Sequence, residues 1–221
     1  MSDEPSTTRV PWLKVALVAA AVVVGAGVGI GVAVAQGSDD GSTPKAAPDD
    51  PGTFWAAGTR RAPEFTLRDQ AGRPISLRSL RGRPVVIAFI DPVCRNHCPF
   101  EARILNDVTK RLPGGSRPTV LAVSVNPWGQ APADLRLDAR KWDLVPEWRW
   151  GLGSYSQLSR VWRQYAIGVQ VRTKTLGGLT VHEVDHTEGA YVVDPEGWQR
   201  ALFLYPYRAR DVADAVRRVS A

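Results

Sequence analysis

The chain has 221 residues, 44% of them hydrophobic and 23% charged, values near globular averages that exclude a wholly disordered protein. Its two cysteines exclude a disulfide scaffold, and its formal charge of +6 contains no run of five Lys/Arg, so nucleic-acid binding has no support. Residues 1–61 hold five Lys/Arg and six Asp/Glu, and the remainder hold 23 and 16. This basic surplus reads first as a solvated face, and second as a surface for an acidic partner or an anionic membrane.

From Val15 to Ala35 the chain carries no charge. As a helix this stretch spans about 31 Å, the thickness of a bilayer's hydrocarbon core. Its glycines, Gly25, Gly27, Gly29 and Gly31, are tolerated in membrane helices. Arg9 and Lys14 precede it, and Asp39, Asp40, Asp49 and Asp50 follow, which predicts a cytoplasmic N-terminus and an exported C-terminal part. Ala33-Val34-Ala35 has the form of a signal-peptidase site, but the apolar stretch is longer than a signal peptide's core, so an uncleaved anchor is favoured. No cysteine follows to carry a lipid. The expected layout is a cytoplasmic tail over 1–11, a single-pass transmembrane signal anchor over 12–36, a flexible linker over 37–61 and a folded domain over 62–221 at the outer face of the cell membrane.

Within the domain, Glu64–Leu67 and Pro74–Leu77 flank Asp69-Gln70-Ala71-Gly72 as a hairpin. Pro84–Ile90 is a continuous apolar run, as expected of a central strand covered on both faces. A helix over Cys98–Leu112 carries Ala102, Leu105 and Val108 at helical spacing. Thr119–Val125 reads as a second buried strand, ended by Asn126-Pro127-Trp128-Gly129. Then come a helix near Ala131–Lys141, a short strand Trp148–Gly151 and a helix capped by Ser154 and running to Tyr165. Strands Gly189–Val193 and Gln199–Tyr205 around the turn Asp194–Gly197, then a helix over Arg208–Val219, complete the chain. Alternating strands and helices ending in a hairpin and a helix predict an α/β sandwich of thioredoxin-like arrangement.

Asp91-Pro92-Val93-Cys94-Arg95-Asn96-His97-Cys98-Pro99 places two thiols at a helix entrance, where the helix dipole favours thiolates. Three residues between the cysteines give a wider bite than a redox pair normally has, wide enough for a disulfide or for two thiolates on one soft metal ion. Downstream, Val181-His182-Glu183-Val184-Asp185-His186-Thr187-Glu188 precedes the strand at Gly189, and no proline lies between Val171 and Asp194. His186 stands where a thioredoxin-like redox enzyme would carry its cis-proline, which turns an exchange surface into a candidate ligand set.

The Cys94-x-x-x-Cys98-Pro99 motif after a buried strand and Val184-Asp185-His186-Thr187 before a later one resemble the SCO/SenC family of cytochrome oxidase copper-assembly proteins. Gly153-Ser154-Tyr155-Ser156-Gln157-Leu158 with Trp162 and Tyr165, and the hairpin Asp194–Gly197, are similar to that family too. The resemblance covers about Ala62 to Val219. It implies a thioredoxin fold that binds one copper ion through Cys94, Cys98 and His186. It also implies delivery of copper to, or thiol reduction at, the copper site of a respiratory oxidase. Arg95 and Asn96 stand where the family usually has proline and an acidic residue.

Other readings stay open at this point. The thiol pair also fits a thiol–disulfide oxidoreductase acting on exported thiol proteins. It fits less well a structural zinc site that adds His182, because Cys98 and His182 are too far apart in sequence for a finger. His97 is expected to tune thiol acidity as a nearby cation rather than to ligate, and Asp185 to orient His186. Trp142, Trp148, Trp150 and Trp162 read as packing residues, while Trp128, in its Pro/Gly turn, reads as exposed to a partner. Met1 is the only methionine, so a thioether-rich copper site is excluded.

Overall fold

The computed structural model describes residues 52–220. The expected tail, the anchor over 12–36 and residues 37–51 of the linker lie outside the described residues. No helix among the described residues is long and apolar enough to cross a membrane.

The main sheet has six strands in the order β1-β10-β9-β4-β5-β6. These are β1 (Thr53–Phe54), β4 (Val85–Ile90), β5 (Thr119–Ser124), β6 (Trp148–Gly151), β9 (Gly189–Val193) and β10 (Gln199–Leu204). β4, β5 and β6 run parallel, β9 pairs antiparallel with β4, and β10 pairs antiparallel with β9. Every residue of β4, β5 and β9 is buried, which is why β4 reads as an unbroken apolar run rather than an alternating one. Successive side chains still part to opposite faces. Val86, Ala88 and Ile90 join one core with α1 (Cys98–Lys110) and α4 (Ala209–Val219). Val85, Ile87 and Phe89 join a second core with α3 (Tyr155–Gln164). α2 (Pro132–Lys141) follows β5. The turn around Asp69 is the expected hairpin, formed by β2 (Thr66–Arg68) and β3 (Pro74–Ser76). Ser154 caps α3 through a reciprocal bond with Gln157.

Two segments depart from the sequence expectation. The last ten residues of the segment read as linker belong to the fold. Thr53 and Phe54 pair with Leu202 and Ala201 of β10, the Phe54 ring lies 5.8 Å from that of Phe203, and Arg60 Nε donates to Gln199 Oε1. Gly/Pro/Ala composition hides this attachment, because an edge strand this short leaves no periodicity to read. The second is the stretch after α3, which forms a separate two-stranded hairpin, β7 (Val169–Leu176) and β8 (Leu179–His186), turning at Gly177-Gly178. Both glycines have positive φ, +56° and +81°, which a two-residue hairpin turn requires.

Candidate metal and thiol site

The parallel β4 and β5 deliver their C-terminal ends to one rim, and antiparallel β9 begins at that same rim. The thiol loop leaves β4 there. Asp91, nearly buried, folds the loop back by accepting the Val93 N–H at 2.9 Å on its side chain and the Cys94 N–H at 3.2 Å on its carbonyl. Asn126 from the end of β5 steadies the carboxylate, donating to Asp91 Oδ2 at 3.3 Å. Gly129 packs so closely on Val93 that a Cβ there would lie 2.7 Å from Val93 Cγ1. Any side chain at position 129 would force Val93 to shift.

α1 begins at Cys98 without a side-chain cap. Helix starts leave backbone N–H groups unpaired, and here sulfur takes one of them: Cys98 N–H points to Cys94 Sγ at 3.4 Å. The two thiols therefore sit together, but in different surroundings. Cys98 is fully buried and Cys94 partly exposed. Hydrogen bonding from the Cys98 side chain and from the backbone N–H groups of Cys98, Asn96 and His97 holds the Cys94 thiol at about 5, against the opposing pull of burial. The bond with Cys94, burial and the Cys94 charge all push Cys98 upward. The result is a poised thiolate beside a protonated thiol.

His186 ends β8. Its Nδ1 lies 3.1 Å from the Thr187 carbonyl oxygen; a carbonyl can only accept, so Nδ1 carries the proton and the Nε2 lone pair is left for other use. The expected orienting carboxylate, Asp185, is instead bound to Arg172 of β7. His182 stacks flat on the indole of Trp128, with ring centres 3.8 Å apart and planes 16° apart, and its Nδ1 lies 3.1 Å from Thr173 Oγ1. His97 is exposed, with its ring 6.3 Å from that of Tyr205. Its backbone rather than its imidazole acts on Cys94. The structure thus brings the two sulfurs together and sets His186 apart on the hairpin. Among the described residues no group of three or more His, Cys, Asp or Glu side chains is gathered closely enough to hold a metal ion.

Glu101 went unnoticed in the sequence. It is fully buried on α1, one turn beyond Cys98; Tyr207 Oη donates to its Oε1 at 2.8 Å, and Oε2 has no hydrogen bond among the described residues. Burial pushes its carboxyl up to about 8, the Tyr207 bond pulls against this, and the charges of Glu188 and Cys94 add to it. Its signal was positional, a carboxylate four residues before Leu105 on the apolar stripe. A cavity of about 500 Å³ lies elsewhere, lined by residues such as Leu135, Arg136, Trp148 and Trp150, and holds none of the thiol-site residues.

A model of the SCO1/SenC family matches residues 56–221. The cattle (Bos taurus) protein described as "Protein SCO2 homolog, mitochondrial" is 27% identical over 158 residues, covering 70% of this chain and 58% of its own. The chain therefore spans 58% of the length of that curated relative. Among solved structures, Bradyrhizobium japonicum ScoI with copper bound is 22% identical, with a TM-score of 0.62, covering 72% of this chain and 99% of its own. BsSco, described as carrying a disulfide switch and as a member of the Sco family of cytochrome c oxidase assembly proteins, is 22% identical with a TM-score of 0.59, covering 76% and 98%. At these identities the structures share the fold, the thioredoxin-like α/β sandwich seen here.

Proposed function

The chain belongs to the SCO1/SenC family, and on that premise we propose that it binds one copper ion through Cys94, Cys98 and His186. The cargo is then passed to, or thiols are reduced at, the copper site of a respiratory oxidase. The observation that carries this reading is the sulfur pair at the start of α1, where Cys94 Sγ accepts the Cys98 N–H and is a thiolate near pH 7. Soft thiolates favour Cu(I) over the harder biological cations. Loading asks Cys98 to give up its proton and His186 to come in from the hairpin with its Nε2 lone pair. β7–β8 forms a sheet of its own, so this approach breaks no pairing with the main sheet. The copper bound in the Bradyrhizobium relative and the assembly role given for the Sco family support the reading. The uncharged stretch within residues 12–36 supports a single membrane span that keeps the domain outside the cytoplasm.

Anaerobic titration of the full chain in detergent against a chromophoric Cu(I) competitor tests the site. One equivalent binds, Cys94→Ala or Cys98→Ala abolishes it, and His186→Ala weakens it by about tenfold or more, equivalent to about 1.4 kcal/mol. Affinity unchanged by Cys94→Ala and by His186→Ala would sink the proposal.

The contrast between a part-exposed thiolate and a buried, protonated thiol also favours a second reading, a thiol–disulfide oxidoreductase acting on exported proteins. Turnover of a disulfide substrate that survives His186→Ala selects it over copper delivery.

A further inference from the structure

α2 carries a charge that its own packing does not need. Asp138 is completely buried, yet neither carboxylate oxygen has a hydrogen bond among the described residues. Such a group costs the fold free energy. Burial raises its carboxyl pKa, and the nearby cations Arg95 and Lys141 pull it back. The guanidinium that faces it comes from the thiol loop: Arg95 Nη1 lies 3.5 Å from Asp138 Oδ1. The same nitrogen donates to the carbonyls of Pro92 at 3.2 Å and of Cys94 at 3.0 Å. A single nitrogen thus ties the loop on both sides of Val93 to a fixed point on α2. The tie is placed where the backbone has no stiffener of its own, since residues 95–97 contain no proline and their side chains are exposed.

We infer that Arg95 and Asp138 are a positioning pair for the thiol site: the buried carboxylate anchors the guanidinium, which holds the loop with the N–H groups of Asn96, His97 and Cys98 turned onto Cys94 Sγ. The pair deepens the proposed function, and rests on it only in taking Cys94–Cys98 as the working site. Its physical consequence is a dithiol form stabilised over the disulfide, because Cys94 Sγ accepts the N–H groups at the helix start while it is free and is drawn away from them when bonded to Cys98. The pair also predicts an asymmetry in stability. Removing Arg95 leaves a buried charge uncompensated, whereas neutralising Asp138 leaves a half-exposed guanidinium that water solvates.

The test is equilibration of the full chain with reduced and oxidised dithiothreitol in the absence of metal. Oxidation joins Cys94 Sγ to Cys98 Sγ and releases two electrons and the Cys98 proton, which together with one proton from water reduce the cyclic disulfide of the reagent to its dithiol. Asp138→Asn and Arg95→Ala each shift this equilibrium toward the protein disulfide by about tenfold, about 30 mV for a two-electron couple. The double variant moves no further than either single one, Asp138→Asn keeps or raises the melting temperature, and Arg95→Ala lowers it. An equilibrium within about twofold of the parent in both variants, or a double variant equal to the sum of the singles, overturns the inference. So does a fall in the melting temperature of Asp138→Asn that accounts for its shift, since that is what a merely structural carboxylate would give. Failure of Asp138→Asn to fold likewise overturns the inference, because the pair requires that neutralising Asp138 leave the fold at least as stable. No copper enters the readout, so its failure leaves the copper site standing, and failure of copper binding leaves the pair standing.

Discussion

Cys94 and Cys98 share a motif but not an environment. The partly exposed sulfur gathers N–H donors at the start of α1, and the buried one keeps its proton beneath it. Alkylation of Cys94 in the parent chain therefore follows a pH profile centred near 5 instead of the ordinary thiol value of 9.0; a midpoint near 9 contradicts the geometry. Because the folded value is depressed, the thiolate contributes stability fully above pH 9 and loses it as pH falls toward 5. Glu101 has the opposite sign. Its folded value is raised to about 8 from 4.5, so the fold is favoured below pH 4.5 and loses stability as pH climbs toward 8, where the unfolded chain ionises first. Glu101→Gln removes that contribution: the melting temperature of the variant gains on that of the parent as pH rises from 4.5 to 8, with the difference largest at the upper end. A parallel pair of curves would show that Glu101 ionises freely in the fold.

At the scale of elements, the hairpin β7–β8 is bound to the body where Trp128 stacks on His182, and the turn bearing Trp128 packs through Gly129 onto Val93 beside Cys94. Thiol loop, β5 turn and hairpin thus form one physical chain of contacts. Trp128→Ala leaves the hairpin held to the body by the packing of Val169 and Val184 on the second core, and amide exchange over Val169–Leu176 and Leu179–His186 accelerates by about tenfold, the equivalent of about 1.4 kcal/mol. β4 and β5 keep their protection; equal acceleration everywhere would mean that the substitution only weakens the fold. This hairpin is also where sequence reading stopped. Gly177-Gly178 is a two-residue turn signal, but Arg172, Lys174, Glu183 and Asp185 pair across the two strands in place of an apolar stripe, and most of the hairpin is exposed. Strands that bury little leave little pattern. The core strands β4, β5 and β9, Ser154 at the start of α3 and the apolar stripe of α1 were all legible, because each is written by burial or by a cap. Cys94 and Cys98 were legible from spacing alone. Glu101, Asp138 and the Arg95 contacts were not, since they depend on pairings between residues distant in sequence or hidden inside a stripe.

At the scale of the whole molecule, the proposed span within residues 12–36 and the described domain divide the work of location and chemistry. The expected outcome of fractionation is that the full chain partitions with membranes and that a chain lacking residues 1–36 is recovered in the aqueous fraction with the proposed copper binding intact; copper binding lost with residues 1–36 would contradict a site confined to the domain. The proposed site needs ligands from two sources, sulfurs fixed at the start of α1 and an imidazole on a hairpin that pairs with nothing else in the main sheet. Its central claim is therefore a ligand set, and X-ray absorption at the copper edge of the loaded full chain reads that set directly. The expected spectrum has two sulfur scatterers and one imidazole nitrogen, with the nitrogen lost in His186→Ala, while Cys94→Ala/Cys98→Ala retains no copper to give a spectrum. A spectrum without sulfur, or one that His186→Ala leaves unchanged, would contradict it.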